Sequence, residues 1–269
     1  MPQKVLITFL GTGPLSDKMG NHREYRTTEY HLDGKEYKTS FVAAALADHI
    51  KVDRIIMLGT MKSMWEEVYR FFAQKQDMFD EEYYWQLAER TEQANAETPL
   101  RYDGMEKLKN VLGKNSQIIP LHYGITEREQ RENLKDVLAL EQYLEDKEEV
   151  HIDITHSFRS LPMFISLSLM YLKDVSDKRL KIGGIYYGMA DVYGELKYAP
   201  VVRLDAINEM MDWIKGAHSF YHYGNGYLIS ELLANEFQEL SEKIKLFSDT
   251  LNLNFLDEIN KRFITLKKY

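Results

Sequence analysis

A chain of 269 residues suffices for one large domain or a domain with an appendage, and 44% hydrophobic with 28% charged residues is an ordinary globular balance. The absence of cysteine excludes disulfides, thiolate metal sites and thiol nucleophiles, and fits a reducing, cytoplasmic setting. A formal net charge of −8 argues against broad binding of nucleic acid, DNA included, and leaves room for a small anion held in one local pocket.

The start, Met1-Pro2-Gln3-Lys4, shows no basic–apolar leader pattern, and no uncharged stretch reaches membrane-spanning length, so no membrane partner is expected. Lys4 to Leu10 reads as a buried strand that ends in Gly11-Thr12-Gly13-Pro14, where glycine permits a tight turn and close approach to a ligand. The spacing matches neither the dinucleotide fingerprint nor the P-loop. Residues 17 to 40 read as irregular or hairpin-like around the turn signal Asp33-Gly34, and Phe41 to Ile50 as a helix capped by Thr39 or Ser40. Asp53 to Leu58 is a second strand, followed by the polar turn Gly59-Thr60-Met61-Lys62-Ser63 and a helix from Met64 to Gln74.

Helices are expected over Asp80–Ala96 and Tyr102–Leu112, which makes residues 78–115 a helical insertion between strands. Gln117–Leu121 is a short strand. Thr126–Leu144 is a long amphipathic helix that opens on Thr126-Glu127-Arg128-Glu129, a capping box. Val150–Thr155 is a strand, Met163–Leu172 a helix, and Lys181–Tyr187 a strand ending at Gly188. Tyr193-Gly194-Glu195 reads as a hairpin turn before a strand over Ala199–Leu204. From Asp205 the pattern is helical: Ala206–Ala217, Tyr227–Phe247 and Asn254–Leu266, with a break at Gly224-Asn225-Gly226. The fold class is therefore α/β with a mostly parallel sheet over 1–204 and a helical segment over 205–269.

The segment His151-Ile152-Asp153-Ile154-Thr155-His156-Ser157-Phe158-Arg159 concentrates the chemistry. A strand that ends in hydroxyls, an imidazole and a guanidinium just before a helix suits an anion at the carboxyl edge of a parallel sheet. Arg159 offers a planar fork for phosphate, and Thr155 and Ser157 offer short donors. The same residue types also suit a plain structure in which Asp153 or Ser157 caps the helix and Arg159 pairs with a carboxylate. The polar turns after the first two strands would converge on the same edge as this one, and that convergence favours a ligand pocket.

Asp153-Ile154-Thr155-His156 followed by Ser157-Phe158-Arg159 resembles the Asp-x-Thr-His motif of CRISPR-associated proteins with a Rossmann-like sensing domain, the CARF domain. Phe9-Leu10-Gly11-Thr12-Gly13, Leu58-Gly59-Thr60 with Ser63 and Trp65, and Tyr186-Tyr187-Gly188 follow the same family order, as does Leu204-Asp205 leading to Asp212-Trp213. The resemblance implies a homodimer that binds cyclic oligoadenylate, commonly cyclic tetraadenylate and alternatively cyclic hexaadenylate, in type III CRISPR signalling. The implied ligand-binding residues are Gly11, Thr12, Gly13, Thr60, Lys62, Ser63, Asp153, Thr155, His156, Ser157, Phe158, Arg159, Tyr187 and Gly188.

Some family members also cleave the ring without metal, through attack of a ribose 2′-OH on the adjacent phosphate. Lys62, His156 and Arg159 are the catalytic candidates here, with Ser63, Thr12 or Ser157 to fix the ribose. His156 equally suits a structural role, holding its turn through the backbone. The usual effector of this branch is a HEPN ribonuclease marked by Arg, four to six residues, then His. No such pair follows residue 205, and the Arg26–His31 pair lies in the wrong third of the chain. Either the chain stops near the start of an effector domain, or its tail serves dimerisation. No cofactor or metal is expected: His218 and His222 stand four apart without a neighbouring acid.

Overall fold

Val5, Leu6 and Ile7 are fully buried, and the strand they belong to, β1 (Lys4–Leu10), is the middle one of five parallel strands in an eight-stranded sheet. In the computed structural model, residues 3–13, 27–100, 103–156 and 160–252 are described. The other strands are β2 (Thr28–Leu32), β3 (Lys35–Thr39), β4 (Arg54–Thr60), β5 (Gln117–Leu121), β6 (Glu149–Asp153), β7 (Lys181–Gly188) and β8 (Ala199–Arg203). Their order across the sheet is β3-β2-β8-β7-β6-β1-β4-β5. The five from β7 to β5 are parallel; β8 is antiparallel to β7, and β3 to β2. After β1 the chain builds outward through β4 to β5 and then returns to lay β6 on the other side of β1. The sheet is thus doubly wound, with its topological switch point between β1 and β6.

Side chains alternate across β1 into two cores, which is why its sequence is apolar on both faces. Leu6 and Leu10 join Met57 and Ile118 under α1 (Val42–Ile50) and α2 (Trp65–Lys75). Val5, Ile7 and Phe9 join Ile56, Leu58 and Ile152 under α5 (Glu127–Leu138) and α6 (Ser160–Val175). Each fully buried aliphatic side chain contributes about 1.5–3 kcal/mol relative to exposure. At the opposite edge Arg54 grips Glu148 in a buried bidentate pair at 2.7–3.0 Å, tying the start of β4 to the entry of β6. Glu148 also accepts from Glu145 N at 2.9 Å, so its carboxylate is well satisfied.

The expected insertion contains α3 (Glu81–Gln93) and α4 (Glu106–Val111). Asp80 caps α3 by accepting from Tyr83 N, and Tyr83 meets Tyr69 of α2 edge-on at 4.6 Å. The Asp33-Gly34 turn joins β2 to β3 with both residues at positive φ, 48° and 75°, the geometry that tight hairpins demand.

Several sequence expectations are corrected. The N-cap of α1 is Phe41 and carries no side-chain cap; Thr39 Oγ1 instead accepts from Phe41 N at 3.1 Å. The helix expected over Thr126–Leu144 tightens to a 3-10 turn at Ala139–Tyr143. Its capping is as expected from Thr126, which accepts from Glu129 N, whereas Glu129 reaches back to Gly124 N and Ile125 N rather than Thr126. The segment around Gly194 is helical, α7 (Tyr193–Leu196), and Lys197 at φ 68° ends it. Glycine marks a turn in either case, so composition alone did not separate them.

Contacts divide the chain into units at Met1–Leu204 and Asp205–Tyr269. The second holds α8 (Asp205–Tyr223), α9 (Tyr227–Leu233) and α10 (Gln238–Asn252). The helix expected over Ala206–Ala217 is longer, and that over Tyr227–Phe247 is two helices, broken after Leu233. Gly216 lets α8 approach Ile229 of α9, where a β-carbon would stand 2.9 Å from the isoleucine side chain. The helix expected over Asn254–Leu266 lies outside the described residues. Among the described residues, no helix is long and apolar enough to cross a membrane.

Candidate ligand site at the sheet edge

The strand registers place the turns in one row. Leu10 pairs with Gly59, and Thr8 pairs with Asp153, which in turn pairs with Tyr186. Two residues beyond Asp153, the Thr155 hydroxyl accepts from Gly188 N at 2.8 Å. Four adjacent parallel strands therefore present their polar ends side by side at the switch point, where open α/β sheets bind ligands.

Asp153 organises the row from beneath. Its carboxylate is fully buried and accepts from Thr8 Oγ1 at 2.7 Å, Thr155 N at 2.9 Å and Thr155 Oγ1 at 2.6 Å. The Thr155 hydroxyl thus donates to Asp153 and accepts from β7, so it has one allowed orientation. Asp153 caps its own turn through Thr155, and β6 ends at Asp153 instead of Thr155. Burial, with the Asp153 charge second, pushes the Tyr30 phenol up to about 12. Gly188 is required by closeness: a β-carbon there would lie 2.8 Å from Val42 and 3.3 Å from Thr155.

The other turns are equally fixed. Ser63 Oγ donates to Leu10 O at 2.7 Å and accepts from Thr60 N at 2.9 Å, so it locks β4's turn to the end of β1. Trp65 Nε1 donates to Thr60 O at 2.8 Å, and Met64 N donates to Gly11 O at 3.1 Å. Gly13 has φ 69°, and a β-carbon on it would fall 1.9 Å from Met64 Sδ, so backbone conformation and space both demand glycine.

The expected site residues thus separate by depth. Thr60, Ser63, Asp153 and Gly188 are buried scaffold, and their polar atoms serve the protein itself. Gly11, Thr12, Gly13, Lys62, Thr155, His156 and Tyr187 are partly exposed along the same edge. His156 Nε2 is closed off from solvent, and burial lowers the imidazole pKa below its ordinary 6.5 despite the opposing charge of Asp153. Ser157, Phe158 and Arg159 lie outside the described residues.

Sequence reasoning missed Thr8, whose partner is 145 residues away, because a threonine within an apolar strand carries no signal of its own. It also missed a cavity of about 520 Å³ beside the β4 turn, lined by Met61 and by Gln86, Glu89, Arg90 and Gln93 of α3. The i, i+7 spacing of the two glutamines was the available clue. The His218–His222 pair lies on α8 with ring centroids 4.5 Å apart, and no acid joins it in a metal-binding group among the described residues.

Residues 5–191 match the family model described as the CARF domain of the CRISPR system endoribonuclease Csx1. Residues 209–269 match the second domain of the CRISPR-associated protein MJ1674. The MJ1674 protein of Methanocaldococcus jannaschii is 37% identical over 278 residues, an alignment that covers 98% of this chain and 43% of that protein. The chain therefore spans less than half the length of this curated relative. A solved structure of Enterococcus italicus Csm6 bound to cyclic hexa-2′-fluoro-hexa-dAMP aligns at 11% identity and a TM-score of 0.43, over 97% of this chain and 56% of that one. With 187 consecutive residues matched, more than two-thirds of its length, the chain belongs to the CARF-domain family of the CRISPR system endoribonuclease Csx1.

Proposed function

We propose that this chain is a CRISPR signalling sensor whose 1–204 unit binds cyclic oligoadenylate, with cyclic tetraadenylate the preferred ring, as a homodimer. The observation that carries the reading is the row of polar turns at the switch point, Gly11-Thr12-Gly13, Lys62, Thr155-His156 and Tyr187, in a chain of the Csx1 CARF family. Backbone N–H groups, hydroxyls and a lysine suit bridging phosphates, and the partly exposed Tyr187 ring suits an adenine face. A ring with twofold symmetry fits two copies of one edge related by a dyad. The Asp-x-Thr-His resemblance supports this branch of the family, and Arg159 is assigned to the phosphates on that resemblance. No Arg-x(4–6)-His pair follows residue 205, and the activity proposed for the 1–204 unit is sensing, alone or as the sensor part of a CARF–HEPN ribonuclease.

A second reading, slow metal-independent ring cleavage, is favoured by one observation. Burial lowers the His156 pKa and so favours the neutral imidazole, and a neutral imidazole is the form that accepts a proton from a ribose 2′-OH. The 2′-oxygen would then attack phosphorus as the P–O5′ bond breaks, leaving a 2′,3′-cyclic phosphate and a 5′-OH. Incubation with each ring in EDTA, with thermal shift for binding and chromatography for products, tests both readings. Stabilisation by cyclic tetraadenylate with an intact ring is the expected result, and linear products would make the protein a ring nuclease. Stabilisation by NAD, AMP or ATP, and by neither ring, would reject both.

A further inference from the structure

We infer that the outer face of the β2–β3 hairpin is a binding site for a divalent transition-metal ion, with Glu29, His31 and Glu36 as ligands. The pleat places them together. Thr28, Tyr30 and Leu32 of β2 point into the core, so Glu29 and His31, two residues apart, share the outward face. Glu36 stands directly across from His31 in the antiparallel register, which puts a third donor on that face. His31 Nε2 lies 3.0 Å from Glu29 Oε1 and 3.9 Å from Glu36 Oε1, and the three ligand atoms fall within 4.8 Å of one another. Two ligands bound at about 2.0–2.2 Å to one tetrahedral zinc lie roughly 3.3–3.5 Å apart. The two observed separations bracket that value, so small side-chain rotations would bring all three donors to one ion.

Two further features suit the assignment. The imidazole stacks on Tyr198 at 4.0 Å and 11°, which restrains the plane of its ring. The tight Asp33-Gly34 turn fixes the register that brings Glu36 opposite His31. One imidazole and two carboxylates are a donor set for zinc and its first-row neighbours; magnesium and calcium take oxygen ligands. Lys38, across from Glu29 on the same face, is the cation that the metal must outcompete. The same short contacts would also arise from a hydrogen bond between His31 and Glu29 alone, and metal titration separates the two.

The test uses the full chain, stripped with EDTA and dialysed, then titrated with Zn²⁺ by calorimetry and with Co²⁺ by its visible absorption. The expected result is one ion per chain, with a tetrahedral or five-coordinate Co²⁺ spectrum. His31→Ala should abolish the Co²⁺ spectrum, and Glu29→Gln and Glu36→Gln should each weaken binding by more than roughly a hundredfold, beyond an outer partner's share. Millimolar Mg²⁺ should not compete. Because all three side chains are partly or fully exposed, the variants should keep the wild-type circular dichroism spectrum. A His218→Ala/His222→Ala variant guards against the rival pair on α8. No uptake by the wild type, uptake unchanged in His31→Ala, or uptake lost only in the α8 variant would each overturn the assignment.

Discussion

Asp153 takes three donors among the described residues and shows nothing to solvent, so its contribution is the geometry that it imposes on Thr155. Thr155→Val keeps the shape of that side chain and removes its donor to Asp153 and its acceptor for Gly188 N. The variant should lose about 1–3 kcal/mol of stability, the range for a buried group left without its partner, and should also bind cyclic oligoadenylate more weakly. Loss of stability with unchanged affinity would separate this turn from the binding site. A second residue-scale prediction concerns acid. Burial lowers the pKa of both His156 and His151, the latter against the pull of Glu149, with Lys4 and Arg203 lowering it further. Above the ordinary value of 6.5 neither state carries the proton, so these groups leave stability flat. As pH falls through 6.5 the unfolded chain takes protons that the folded chain refuses, and stability drops. Asp80, Glu132 and Asp146 are lowered by Lys107, Arg128 and Arg179, so they titrate well below this window. Urea midpoints at pH 7.5 and 5.5 should differ, and His151→Gln and His156→Gln should each narrow the gap; an unchanged gap in both would contradict the assignment.

At the scale of elements, α6 leaves the site with an unusual outer face. Leu161, Ile165, Leu169 and Leu172 pack on the sheet, while Met163, Leu167, Tyr171 and Val175, spaced by four, are 44–68% exposed. That apolar stripe supports the proposed homodimer, since it runs the length of the helix. Leu167→Glu with Tyr171→Glu should give a monomer by light scattering and cut ring affinity sharply; a dimer of unchanged mass would rule this face out. How legible these elements were depended on how local their cause is. β1, β4 and β6 were readable because strands buried on both faces must be apolar throughout, and the Asp33-Gly34 hairpin because its turn needs positive φ. The breaks at Ala139 and after Leu233 were not, because neither carries glycine or proline to announce it. The candidate residues were readable as polar types at strand ends. The division of those residues into buried scaffold and partly exposed rim was not, because it depends on partners such as Thr8 for Asp153 and Leu10 O for Ser63, far apart in sequence.

For the whole molecule, the doubly wound sheet explains why one chain offers a single edge of converging turns and why a symmetric ring would need two. The helical unit from Asp205 carries its own packing, and residues 209–269 match a domain model separate from the one that matches 5–191. In the proposed sensor this edge, taken twice, binds one cyclic oligoadenylate. Isothermal titration of cyclic tetraadenylate into the full chain in EDTA measures it most directly. One ring per two chains is the predicted stoichiometry, with the heat lost in Thr155→Val or in the monomeric α6 variant. No heat with either cyclic tetraadenylate or cyclic hexaadenylate, or one ring per chain with full affinity in the monomer, would contradict it.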